Sequence, residues 1–206
     1  MVRQAVCIGL CALGVSACTS IPLTSIPKLS ALKPETMALD HVQLAVRVQE
    51  DFRPYRDGAK LRMSVSGPSL ELDKSLELQL LPVADDLTPY LQGQERRGYR
   101  IAMFSVDPDE VEDINLFRDE LLALKAREEG KNALSIGAWA KGCLAQEANP
   151  FQTLRMKLYL RAGQDEDFFT LFKEQKLAVS TSEGEGHGIS RCTDEDQPNL
   201  LWTDAP

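Results

Sequence analysis

From position 42 the chain alternates apolar and polar residues, with Val42, Leu44, Val46 and Val48 on one side and His41, Gln43, Ala45 and Arg47 on the other. A strand with one buried face demands that period of two, and it places His41 on the surface of the first strand. The alternation returns at Leu61, Met63 and Val65, at Leu70 and Leu72, and at Leu76, Leu78 and Leu80. Asp57-Gly58 favours a tight reversal and Gly67-Pro68 stops a ladder, so these runs are predicted to be antiparallel neighbours. Tyr99, Ile101, Met103 and Ser105 alternate with Arg100, Ala102, Phe104 and Val106. Apolar character on both faces suits a central strand covered on each side. Leu134, Ile136, Ala138 and Ala140 define a strand ending near Cys143, and Leu154, Met156, Leu158 and Leu160 define another. The segment Asp167-Phe168-Phe169-Thr170-Leu171-Phe172 reads as an edge strand or as the start of a short helix through Leu177, since so short a run does not separate the two periods.

Helical spacing occurs once over a long stretch. After Asp107-Pro108-Asp109, the residues Val111, Ile114, Phe117, Leu121 and Leu124 recur at intervals of three and four, and Leu116 and Leu122 widen the stripe. Asp109, Glu110, Glu112 and Asp113 crowd the first turns and Lys125 and Arg127 the last, which complements the helix dipole, with Gly130 as the stop. The predicted class is α+β, predominantly antiparallel β, sandwich-like, with about seven strands and one long amphipathic helix. No internal repeat is visible.

The 206 residues carry 23 Lys and Arg against 31 Asp and Glu, a formal net charge of -8. That balance disfavours a nucleic-acid partner, because phosphate binding needs clustered cations. The acids concentrate late: residues 163–206 hold ten of them against Lys173, Lys176 and Arg191. Residues 180–188, rich in Ser and Gly, have the composition of a flexible loop. Glu183, Glu185, His187 and residues 194–196 are the one grouping with divalent-cation ligands. Their spacing matches no ordered calcium loop, so the segment is read as solvated acidic coil and no metal is assigned.

The N-terminus changes the setting of everything after it. Arg3 precedes an apolar run from Ala5 to Val15 that is far below the ~20 residues a membrane-spanning helix needs, as in a secretory signal peptide. The run closes with Val15-Ser16-Ala17-Cys18, which resembles the lipobox of bacterial lipoproteins. The resemblance covers about 20 residues and carries nothing about the fold. It implies that residues 1–17 are removed, that Cys18 is lipidated, and that the membrane is the first partner. Thr19, a residue other than Asp after that Cys, implies sorting to the outer membrane, facing the periplasm. With Arg3 gone the mature charge becomes -9 from the -8 of the whole chain. Residues 18–39, with Pro22, Pro27 and Pro34, then read as the lipidated Cys and a flexible tether, and residues 40–206 as one globular domain with an acidic C-terminal segment. Partial docking of Ile21, Leu23, Ile26, Leu29 and Leu32 on the domain is the other reading of the tether.

Of the five Cys, Cys7 and Cys11 leave with the signal and Cys18 carries lipid, leaving Cys143 and Cys192. In an oxidising envelope two leftover thiols most often pair, and a disulfide between them is expected. Catalytic patterns are thin. Ser30-Ala31-Leu32-Lys33 fits Ser-x-x-Lys, yet it lies in the tether and lacks Ser-Asp-Asn and Lys-Thr-Gly partners. With only His41 and His187 in the chain, nothing points to a specific triad. No catalytic residue and no cofactor is assigned. The expected function is non-catalytic: an accessory or assembly component of a bacterial cell envelope that contacts another envelope protein. The alternative is a small periplasmic hydrolase or a ligand- or metal-binding module. Arg155, Lys157 and Arg161 are the residues singled out for partner binding, as one exposed row. The competing reading is that the row balances the acidic C-terminal region of the same molecule.

Overall fold

The computed structural model describes residues 21–32, 38–66, 74–84, 86–127, 133–149, 153–178 and 189–202. Its strands are β1 (Gln43–Gln49), β2 (Phe52–Ser66), β3 (Lys74–Val83), β4 (Tyr99–Val106), β5 (Ala133–Leu144), β6 (Thr153–Arg161) and β7 (Phe169–Ala178). Its helices are α1 (Ile26–Ala31), α2 (Pro89–Gln92) and α3 (Val111–Arg127). All seven strands form one curled sheet in the order β5-β2-β3-β4-β1-β6-β7. Every adjacent pair is antiparallel. The architecture is therefore mainly antiparallel β, as the alternation predicts. The expected sandwich is replaced by one sheet that curls around its own core instead of facing a second sheet.

The concave core follows from the period of two. Leu44, Val46 and Val48 of β1 meet Phe104 and Ala102 of β4 and Leu160, Leu158 and Met156 of β6 across the registers. Ala59, Leu61 and Met63 of β2 and Leu76, Leu78 and Leu80 of β3 extend the same surface. Ile114, Phe117 and Leu121 of α3 close over it. Leu116 and Leu122 do not widen that stripe, being 57% and 48% exposed. The helix has one narrow buried ridge and is not clearly amphipathic. Asp107 caps the turn leading into α3 by accepting from the Asp109 N–H at 3.0 Å. The opposite face of β4 is also covered: Ala45, Met103, Tyr159 and Phe168 pack with Leu91 of α2. That second cover is why β4 is apolar on both faces.

Three local expectations change. Asp57-Gly58 is not a reversal, since β2 runs through it and only its register with β5 shifts between Pro54 and Ala59. Gly58 is wanted for space: a Cβ there would lie 2.6 Å from the Lys141 carbonyl oxygen. The reversal between β1 and β2 falls instead at Glu50 and Asp51. His41 ends a 3₁₀ turn, Leu39–His41, ahead of β1, because Leu39 turns inward to full burial and breaks the alternation. The open choice at residues 167–172 resolves as the edge strand β7. Gly67-Pro68, Leu70, Leu72, Gly130, Glu183, Glu185 and His187 lie outside the described residues.

Part of the segment read as a tether is folded. Leu23–Ser25 is a 3₁₀ turn continuing into α1. Ser25 is buried and its hydroxyl donates to the Thr170 carbonyl of β7. Leu29 and Leu32 pack on the core. Local helical signals are weak in so short a stretch, and tertiary contact decides the outcome.

Candidate functional site

Cys143 and Cys192 form the expected disulfide, with Cα atoms 4.9 Å apart. It fastens the C-terminal segment beside β5, where the Leu144 N–H donates to the Ser190 carbonyl and the Cys192 N–H to the Leu144 carbonyl. Leu200 packs against both sulfur-bearing residues, with Tyr55 alongside. The Tyr55 hydroxyl donates to Asp196 Oδ1 at 2.8 Å. Burial, then that hydrogen bond and the Asp196 charge, push the Tyr55 hydroxyl up to about 12. This corner is a staple for the chain end.

The chemistry-bearing surface lies on the convex face of β1, β6 and β7. Odd-numbered residues of β1 and β6 point there, so Arg47 sits directly opposite Lys157. Like charges in that position repel. Relief comes from two residues distant in sequence: Glu174 on β7 and Gln94, just after α2. Arg47 Nη2 lies 3.2 Å from Glu174 Oε2 and Nη1 donates to the Gln94 carbonyl at 2.8 Å. Arg155 Nη1 reaches Glu174 Oε1 at 3.0 Å, and Arg96 Nη1 stands 3.9 Å from Oε2. Lys157 Nζ and the Tyr159 hydroxyl both donate to Gln94 Oε1, at 3.3 and 3.2 Å. Arg47 and Arg96 both stack on the Tyr99 ring, 5.4 and 5.1 Å from its centre.

Three cations thus share one carboxylate, and Lys157 is held beside them by Gln94. Burial resists ionisation of Glu174, but the Arg155 hydrogen bond and the charges of Arg155, Arg47 and Arg96 outweigh it and hold the carboxyl below the usual glutamate range. Lys157 moves the other way: burial and then Arg47 favour its neutral form, against the attraction of Glu174. Burial keeps the Tyr159 hydroxyl protonated, with a pKa raised to about 12. Arg47 is 11% exposed, and its Nε is buried without a hydrogen-bond partner. Arg96 and Arg155 are more open, their side chains 57% and 42% exposed.

Of the predicted row, the structure brings Arg155 and Lys157 into this cluster and places Arg161 elsewhere. Tyr159, fully buried, separates them. The row is half-buried rather than exposed, because the segment after β3 folds over this face. Arg161 stacks 5.5 Å from the Phe168 ring centre and borders a cavity of about 240 Å³ with Asp40, His41 and Gln164. Arg47, Arg96, Gln94 and Glu174 were not singled out from sequence. The adjacent Arg96-Arg97 pair and the outward phase of Arg47 on its strand were the available signals. A second concavity, about 420 Å³, lies between Val83, Ile101, Met103 and Trp202, and Arg56 is the one ionisable side chain in its lining among the described residues.

The pairing reading gives a direct expectation for Glu174→Gln. Its carboxyl pKa is lower folded than unfolded, where about 4.3 is usual, so its contribution is full above that value and is lost as pH falls through the folded one. The variant should be less stable by about 1 kcal/mol at neutral pH, which lowers the melting temperature by about 2–4 °C. That difference should vanish in melts recorded well below pH 4. A gap that persisted in acid would mean that packing, not charge, holds the cluster.

Comparison with protein-family models, with curated proteins and with solved structures finds no match. The functional reading therefore rests on the chain's own residues.

Proposed function

We propose that this chain is a lipid-anchored protein of a bacterial cell envelope, processed after Ala17 and acylated at Cys18. It sits at the outer membrane facing the periplasm and acts by non-catalytic binding of an acidic envelope partner. The observation that carries the binding reading is the cationic cluster: Arg47, Arg96, Arg155 and Lys157 gathered around the carboxylate of Glu174, in a chain of net charge -8. A cationic excess kept on one face of an acidic protein favours encounter with a negatively charged surface and sets its register. Glu174 and Gln94 hold the cations in fixed positions, and Arg96 and Arg155 are exposed enough to meet a carboxylate of the partner. The lipobox motif lies outside the described residues; among those described, no helix is long and apolar enough to cross a membrane.

Double charge reversal, Arg96→Glu with Arg155→Glu, tests the binding face. Arg96 is 57% exposed and Arg155 half-buried at 42%, so the melting temperature should move by less than about 4 °C. In cells treated with cross-linker, the salt-sensitive partner adduct should be lost. An unchanged adduct pattern with a lower melting temperature would assign the cluster to internal charge balance alone.

A further inference from the structure

The first described turn has two unlike sides. Its inner side is fixed: the Ser25 hydroxyl bonds the Thr170 carbonyl, the Lys28 ammonium sits 5.3 Å over the Phe169 ring, and Leu29 and Leu32 pack on the core. Its outer side carries Leu23 and Ile26, 79% and 48% exposed. Leu23 is the most exposed large apolar side chain among the described residues. A free tether has no reason to hold two large apolar residues outward on an element anchored to the domain. Cys18 lies five residues before Leu23, so even a fully extended connection spans at most ~18 Å. Acyl chains on Cys18 would hold that residue at the bilayer surface, which leaves the outer side of this turn within reach of the lipid.

We propose that Leu23 and Ile26 insert into the interface of the membrane that holds the acylated Cys18, so that the domain rests on the bilayer by its α1 and β7 edge. This rests on the lipoprotein reading above. The contact is apolar rather than electrostatic. Lys28 is the one base in residues 21–32 and is engaged with Phe169, while Asp165, Glu166 and Asp167 precede β7. Neutral phospholipid should therefore serve as well as anionic phospholipid, and added salt should not release the contact. The cationic cluster, on the convex face of the neighbouring strands, is then held at a set height above the membrane instead of sweeping the full reach of a tether.

The experiment uses the acylated protein in phosphatidylcholine vesicles whose acyl chains are brominated. With the native Trp139 and Trp202 replaced by phenylalanine, Ile26→Trp is compared with Leu122→Trp, an equally exposed position on α3, which packs over β3, four places along the sheet from β7. The expected result is bromolipid quenching of the Ile26→Trp signal several-fold greater than that of Leu122→Trp, unchanged at raised salt. Equal quenching, with the tryptophan at position 26 open to aqueous iodide, would overturn the proposal. Protection of that tryptophan from both quenchers would overturn it too, since a second copy or another protein would then be the cover. Mass spectrometry of Cys18 separates the two failures. Absence of acyl mass removes the lipoprotein reading and this inference with it, whereas acylation without quenching removes this inference alone.

Discussion

Replacing Cys143 and Cys192 together with alanine should lower the free energy of unfolding by about 4 kcal/mol. The disulfide closes a sequence separation of 49 residues, and on the chain-entropy account a loop of that length removes about that much freedom from the unfolded state. Against a whole stability of ~5–15 kcal/mol this is a large share. Both residues are buried, so the lost sulfur contacts with Leu200 and Tyr55 act in the same direction. The folded state keeps its backbone bonds from Leu144 to Ser190 and from Cys192 to Leu144, so the native register should survive. Denaturant melts should show a lower midpoint and a steeper slope, because the uncrosslinked unfolded chain exposes more surface. A loss under about 1 kcal/mol would show that the backbone ladder, and not the covalent bond, holds the C-terminal segment, since such a loop predicts several times as much.

Cys18→Ser should convert the protein from essentially all membrane-bound to essentially all unanchored or unprocessed. Each buried methylene contributes roughly 0.8 kcal/mol, so a lipoprotein's several acyl chains make release negligible, and no other feature compensates for their loss. Leu23 and Ile26 could add reversible contact only. Metabolic labelling with an acyl precursor followed by fractionation measures this directly. A labelled Cys18→Ser protein that still sedimented with membranes after signal removal would exclude the lipobox reading.

Most of the fold was readable because strand alternation is a local property. Leu44-Val46-Val48, Leu76-Leu78-Leu80 and Leu154-Met156-Leu158-Leu160 each declare a buried face within a few residues, and the structure buries each of them. The ridge of α3 was readable for the same reason, though its width was overstated: Leu116 and Leu122 share the spacing but stay about half exposed, outside the core. The pairing of Cys143 with Cys192 followed from counting in a compartment the N-terminus implied, and needed no fold at all.

Other features depended on which strands became neighbours. The cationic cluster joins Arg47 to Glu174 across 127 positions and Lys157 to Gln94 across 63. No window along the chain contains either pair, and the strand order that sets β1 between β4 and β6 is a global outcome. Tertiary crowding likewise made Asp57-Gly58 a register shift where local preference favoured a turn, because the Lys141 backbone crosses too close for a side chain. Residues 21–32 became an ordered strap through β7, which supplied a carbonyl for Ser25 and a ring for Lys28. The faces of the strands were written in neighbouring residues, whereas the cluster, the staple's surroundings and the strap arose only where distant backbone came together, since charge pairing and close approach depend on distance in space and not along the chain.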